Sequence, residues 1–143
     1  MAKKYKVDEW QTWWIMKYSD LNLYKEKGEK IACLTAYDAS IAKLIDDCGV
    51  DVVLIGDSLG TTLYGMKNTR TVTLEMMKNH GKAVVKNTSI SMTIIDMPYN
   101  TYRNKKEALN NARNILNFTK ADYIKIETDK KNIGIVKHLS KNK

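Results

Sequence analysis

The sequence predicts an α/β fold in which repeated strand–helix units build a parallel sheet, and three observations carry that prediction. Short apolar runs alternate with helix-period segments from residue 30 onward. The run Val52-Val-Leu-Ile55 shows no polar alternation, the pattern of a strand buried on both faces. Three successive runs are closed by an acid, Asp57, Asp96 and Glu127, at the strand end where such folds bind ligands.

The stretch before residue 30 holds Trp10, Trp13 and Trp14 in a polar context and is expected to form one or two helices. The first strand is placed near 31–35, and Asp38 is a favourable N-cap for the helix after it. That helix would bury Ile41, Leu44, Ile45 and Cys48 on one face and stop at Gly49, a residue suited to the left-handed conformation. The second strand, near 51–56, leads into Gly56-Asp-Ser-Leu-Gly60. The segment 60–71 exceeds the other connections in length and holds Gly65 and Asn68, so it reads as a loop on the ligand side, able to cover a substrate. A second helix begins near Thr73, with Glu75 in a first turn that favours an acid.

The third strand, near 91–96, ends in Asp96-Met-Pro98. Asn104 and Glu107 stand at capping-box spacing for the third helix, and Ala108, Ala112, Ile115 and Leu116 repeat at its period. In the fourth strand, near 122–127, period-two alternation sends Tyr123, Lys125 and Glu127 to one face and Ile124 and Ile126 to the helices. A fourth helix from about Lys131 carries Ile133, Val136 and Leu139.

With 143 residues, 43% of them hydrophobic, the chain can bury one ordinary core, and no apolar stretch is long enough to span a bilayer. The formal charge of +8 comes from lysines scattered among acids and asparagines without aromatic interleaving. A solvated basic surface is therefore expected, with no nucleic-acid partner and no membrane. Cys33 and Cys48 lack the spacing of a zinc or disulfide framework and read as small buried hydrophobes in a reducing compartment. Nothing near the N-terminus forms a signal-peptide core, so a cytoplasmic location is the expectation.

Three carboxylates converging from neighbouring parallel strands repel one another unless a cation neutralises them, and hard oxygen ligands suit Mg2+. Asp57, Asp96 and Glu127 are the candidate ligands. Lys125 would project into the strand-lined interior, where an ammonium needs an anion, supplied by a ligand carboxylate or by neighbouring acids. His80, on the second helix, reads as a packed or surface histidine.

Four motifs in order, Leu34-Thr-Ala-Tyr-Asp38, Gly56-Asp-Ser-Leu-Gly60, Asp96-Met-Pro98 and Lys125-Ile-Glu127, resemble those of the ketopantoate hydroxymethyltransferase family, from about Asp20 to Leu139. The resemblance implies a (β/α)8 barrel of TIM type, an architecture of roughly 250 residues. Residues 30–143 would then be its first half, about four βα units, and residues 1–29 a helical extension that plugs the barrel bottom or meets a neighbouring subunit.

The activity implied is transfer of a one-carbon unit from 5,10-methylenetetrahydrofolate to 3-methyl-2-oxobutanoate, giving 2-dehydropantoate on the route to pantothenate through a Mg2+-stabilised enolate. Residue by residue, Asp57, Asp96 and Glu127 match the family's magnesium-binding acids, while Asp57, Ser58, Asp96 and Lys125 match those that hold the keto acid. The general base would lie in the second half. Thr128-Asp129 departs from the family's usual glycines, and Asn68-Thr-Arg-Thr71 stands where a proline is common. Two alternatives stand beside this one: a truncated, non-catalytic fragment or interaction module that keeps these acids, and a related Mg2+-enolate enzyme of the phosphoenolpyruvate mutase or isocitrate lyase type. Unpaired sheet edges on a half barrel favour self-association, so a homo-oligomer is expected.

Overall fold

Strands that each feed a returning helix pair in parallel, and here four of them do so in chain order, β1-β2-β3-β4. A computed structural model of the chain describes residues 18–142. Helix α1 (Tyr18–Lys27) precedes strand β1 (Cys33–Thr35), helix α2 (Ala39–Asp47), strand β2 (Val52–Ile55) and a short helix α3 (Leu59–Thr62). After a 3-10 turn (Thr69–Thr71) come α4 (Leu74–Val85), β3 (Met92–Asp96), α5 (Lys105–Thr119), β4 (Tyr123–Lys125), a second 3-10 turn (Lys130–Asn132) and α6 (Ile133–Lys141). Trp10, Trp13 and Trp14 lie outside the described residues. Among the described residues no helix is long and apolar enough to cross a membrane.

All four expected strands are present within their expected spans. Because partners in parallel strands present side chains to the same face, the register sorts residues into layers. Cys33, Val52 and Met92 share one interior layer; Thr35, Leu54, Ile94 and Tyr123 share the next; Asp96 and Lys125 are partners at the carboxyl ends. Val53, Ile55, Ile95 and Ile124 take the other face, packed with Ala42, Ile45, Met77, Val84, Ala112 and Ile115 of the helices. At the strand starts, Leu21 and Tyr24 of α1 close the interior against Val52 and Met92.

The caps follow the sequence signals. Asp38 Oδ1 accepts from the N–H groups of Ser40 and Ile41, both at 2.9 Å. At the other end of α2, Gly49 adopts φ +71°, its N–H reaches Asp46 O at 3.0 Å and that of Val50 reaches Ile45 O at 3.4 Å. This paired closure satisfies carbonyls a helix end leaves free. Thr73 caps α4 through Met76 N–H, and Asn104 caps α5 through Glu107 N–H. Glu107 reaches back one residue further than a capping box requires, to the Arg103 N–H at 3.2 Å.

Three expectations are corrected. Helix α2 buries Ala42, Ile45 and Asp46, while Ile41 and Leu44 are 43% and 60% exposed and Cys48 is also exposed. The apolar stripe is wider than the surface available to cover it: α2 packs on β2 and α4, and Ile41 and Leu44 lie on the part of the helix left to solvent. Cys33 is likewise exposed, because β1 is an edge strand. Segment 60–71 is not a plain loop, since α3 and the first 3-10 turn occupy much of it.

Asp46 explains how a charged residue can occupy the buried face of α2. Its carboxylate accepts the backbone N–H groups of Ser89, Ile90 and Ser91 at 2.8, 2.9 and 2.8 Å, tying the α4–β3 connection to α2. Burial alone would raise its pKa, but these N–H donors outweigh burial and hold it below the ordinary carboxylate range. A depressed native pKa contributes stability that is present above the unfolded-state value and lost as pH falls through the native one. Asp46→Ala, which strands three donors, is therefore expected to cost about 3 kcal/mol in urea unfolding at neutral pH. The difference from wild type should shrink on acidification below about pH 4. Unfolding curves for the two proteins that stayed parallel across that range would refute the assignment.

Candidate active site

Parallel register brings an acid and a base together at the carboxyl ends of β3 and β4. Asp96, only 6% exposed, lies with Oδ1 2.8 Å from Lys125 Nζ. The contact is a close ion pair in a largely buried setting, and Lys125 is the partner of this oxygen. Oδ2 of the same carboxylate accepts the N–H of Asp57 at 3.2 Å, which draws the end of β2 onto β3. Gly56 leaves room for the Ser58 hydroxyl, because a Cβ there would stand 2.8 Å from Ser58 Oγ.

These groups line a cavity of about 290 Å³, walled by Asp57, Thr69, Arg70, Asp96, Met97, Tyr99, Tyr102, Lys125 and Glu127. Burial first, and the Asp96 charge second, push the Asp57 carboxyl above its usual range, against the pull of the Thr69 hydroxyl and of Lys125. For Lys125 burial works downward, but the Asp96 carboxylate and the charges of Glu127 and Asp57 outweigh it and hold the ammonium above its ordinary value. Burial likewise raises the Tyr102 phenol, opposed by a backbone hydrogen bond from Glu127.

The acids divide into two and one. Asp57 and Asp96 face the cavity from its buried wall, whereas the Glu127 side chain is 82% exposed and 3.8 Å from Lys125 Nζ. Among the described residues no three His, Cys, Asp or Glu side chains gather around one point that could hold a metal. Two neighbouring carboxylates offer the hard oxygens that suit a cation retaining several waters, with Lys125 already 2.8 Å from Asp96 Oδ1. Glu127 would join only by turning inward or through a water.

Ser58 stands just outside the cavity wall, its Oγ 2.8 Å from the Tyr37 hydroxyl. Tyr37 is held in turn by His80. The ring Nδ1 lies 2.6 Å from the Tyr37 carbonyl oxygen, which can only accept, so Nδ1 carries the proton. Nε2, 2.9 Å from the Tyr64 hydroxyl, is then free in the neutral ring to accept from it. The packed role expected for His80 is thus a specific one: it clamps the connections after β1 and after α3 to α4.

Thr69, Arg70, Met97, Tyr99 and Tyr102 were given no site role by the sequence, although Met97 lies within Asp96-Met-Pro98 and Thr69 and Arg70 within Asn68-Thr-Arg-Thr71. All five lie beyond strand ends, where no periodicity sorts inward from outward positions. The one available signal was the length of the 60–71 connection, which carries Thr69 and Arg70.

Comparison with known proteins now bears on this geometry. Residues 16–143 match the family model described as ketopantoate hydroxymethyltransferase. The chain belongs to that family. Among its relatives, a protein named 3-methyl-2-oxobutanoate hydroxymethyltransferase from Pelagibacter ubique is 52% identical over 125 residues, covering 86% of this chain and 48% of that protein. One of the same name from Ruthia magnifica is 47% identical over 112 residues, covering 78% and 43%. The chain therefore spans about half the length of the curated relatives it matches.

Among solved structures, a phosphonopyruvate hydrolase complex with oxalate and Mg++ aligns with TM-score 0.69 at 12% identity, over 87% of this chain and 47% of that one. A 2,3-dimethylmalate lyase of the PEP mutase/isocitrate lyase superfamily aligns with TM-score 0.64 at 13% identity, over 86% and 46%. At such identities the likeness is one of fold, and it identifies the four βα units as part of a (β/α)8-type barrel.

The electrostatics of this wall are directly testable. With Asp96 removed, burial should dominate at Lys125, so Asp96→Asn is expected to lower the Lys125 pKa and, by deleting a like charge, that of Asp57 as well. Titration of the Lys125 13Cε and Asp57 13Cγ resonances measures both, and unmoved midpoints would contradict the coupling.

Proposed function

We propose that residues 30–143 form the metal- and keto-acid-binding half of a barrel that transfers a one-carbon unit from 5,10-methylenetetrahydrofolate to 3-methyl-2-oxobutanoate, giving 2-dehydropantoate. The observation that carries this reading is the Asp57, Asp96 and Lys125 wall of the cavity, found in a chain of this family. In this reading Asp57 and Asp96 hold Mg2+, with Glu127 completing the set on turning inward. Bound there, Mg2+ would supply Lewis-acid polarisation of the keto acid, making its C3 proton removable.

The remaining roles belong to the chain's own groups. Lys125, kept protonated by Asp96, offers its positive charge to the oxygens of an anionic ligand. Buried Met97 and Asp96 exclude water from the floor, where electrostatic interactions gain strength. Tyr37, anchored by His80, orients the Ser58 hydroxyl toward the end of β2. A cavity of about 290 Å³ suits a small keto acid. The general base for C3 and much of the folate surface are assigned to the other half of the barrel. A cytoplasmic location and a homo-oligomeric state, in which an exposed β4 edge is covered, complete the proposal.

The outward-turned Glu127, 82% exposed, favours one second reading, a non-catalytic module that keeps the keto-acid site. Deuterium exchange at C3 of 3-methyl-2-oxobutanoate, followed by proton NMR, separates the two. The catalytic reading expects exchange that needs Mg2+ and falls to background in Asp57→Ala. Saturable, Mg2+-dependent binding without exchange would establish the binding module instead, and the absence of both would refute the proposal.

A further inference from the structure

The cavity wall carries three acids, Asp57, Asp96 and Glu127, against two cations, Lys125 and Arg70. Lys125 is already committed, at 2.8 Å from Asp96 and 3.8 Å from Glu127. Arg70 has no ion pair among the described residues; its guanidinium instead lies over the Tyr99 ring, 5.4 Å from the centroid. A cation–π contact at this distance takes up no carboxylate-binding partner, so the guanidinium keeps the N–H donors that pair bidentately with a carboxylate.

The turn that carries Arg70 is fixed in place. Asn68 Oδ1 accepts the Arg70 backbone N–H at 3.0 Å, and the neighbouring Thr69 hydroxyl partners the Asp57 carboxylate. Behind it, buried Val72 presses on Gly60 so closely that a Cβ at Gly60 would stand 2.5 Å from Val72 Cγ2. Arg70 is thus delivered to the cavity rim one residue from a group that touches Asp57. An anionic ligand approaching this wall meets an excess of negative charge, which Arg70, the wall cation with no ion pair among the described residues, can offset beside Lys125.

We propose that Arg70 is a specificity-determining residue that recognises a carboxylate at the cavity rim and sets the preference of the site for an anionic ligand over its neutral counterpart. The choice of a 2-oxo acid as that ligand rests on the function proposed above; the carboxylate preference rests on Arg70 and Tyr99.

Calorimetric titration of the full chain in excess MgCl2 tests this with three probes: 3-methyl-2-oxobutanoate, the neutral ketone 3-methyl-2-butanone, and oxalate. Arg70→Leu is expected to weaken the keto acid by about tenfold or more and leave the ketone unchanged, with Arg70→Lys in between. Arg70 is exposed, so circular dichroism should show both variants folded. Keto-acid affinity in Arg70→Leu within about twofold of wild type would overturn the role of Arg70 while leaving the proposed function intact. Oxalate binding that depends on Arg70, with no keto-acid binding by wild type, would uphold the carboxylate site and overturn the substrate. Failure of wild type to bind either carboxylate would overturn both.

Discussion

The pairing of Asp96 with Lys125 depends on strand register, and most of the site depends on that pairing. A slip of one residue in β4 would send Lys125 among the helices and point an isoleucine at the buried carboxylate, since side chains alternate with period two. An uncompensated charge in place of the ion pair would be costly. The helix layer holds the register from behind. A Cβ on Gly81 would stand 2.4 Å from Ile95 Cδ1 and 3.0 Å from Thr119 Cγ2, so α4 lies flush on β3 with α5 beside it. Asp46 adds a second restraint by gathering the N–H groups that lead into β3.

A division of labour follows. Strand ends provide the floor, where Asp96 and Met97 are buried and geometry is set by the sheet. Connections provide the rim, where Arg70 and Tyr99 are exposed and geometry is set by individual hydrogen bonds and close contacts. His80 joins the two levels, because one imidazole holds both the backbone after β1 and the side chain of Tyr64. Functional groups on connections carried by a rigid scaffold are a recurrent arrangement in α/β proteins.

This division also explains what could be read from the sequence. Strand positions were legible because β2 and β3 are apolar runs buried on both faces, and the inward direction of Lys125 followed from alternation with Ile124 and Ile126. Helix starts were legible at Asp38, Thr73 and Asn104 because each cap bonds only to its own first turn. The apolar stripe of α2 misled because periodicity reports which residues could be buried, whereas burial needs a neighbour on that side. Sequence order brings the three acids to adjacent strand ends but does not say whether each side chain turns inward, and Glu127 does not. The rim residues left no periodic trace, and the family resemblance marks only the strand-end motifs.

Lys125 belongs to the outermost strand of the sheet, whose far side has no partner strand among the described residues. Whatever chain segment hydrogen-bonds to that side must also form the next wall of the cavity, so completing the sheet and enclosing the ligand are a single event. The two equilibria are then thermodynamically reciprocal: occupancy of the cavity strengthens strand pairing at β4 by the same factor that pairing strengthens occupancy.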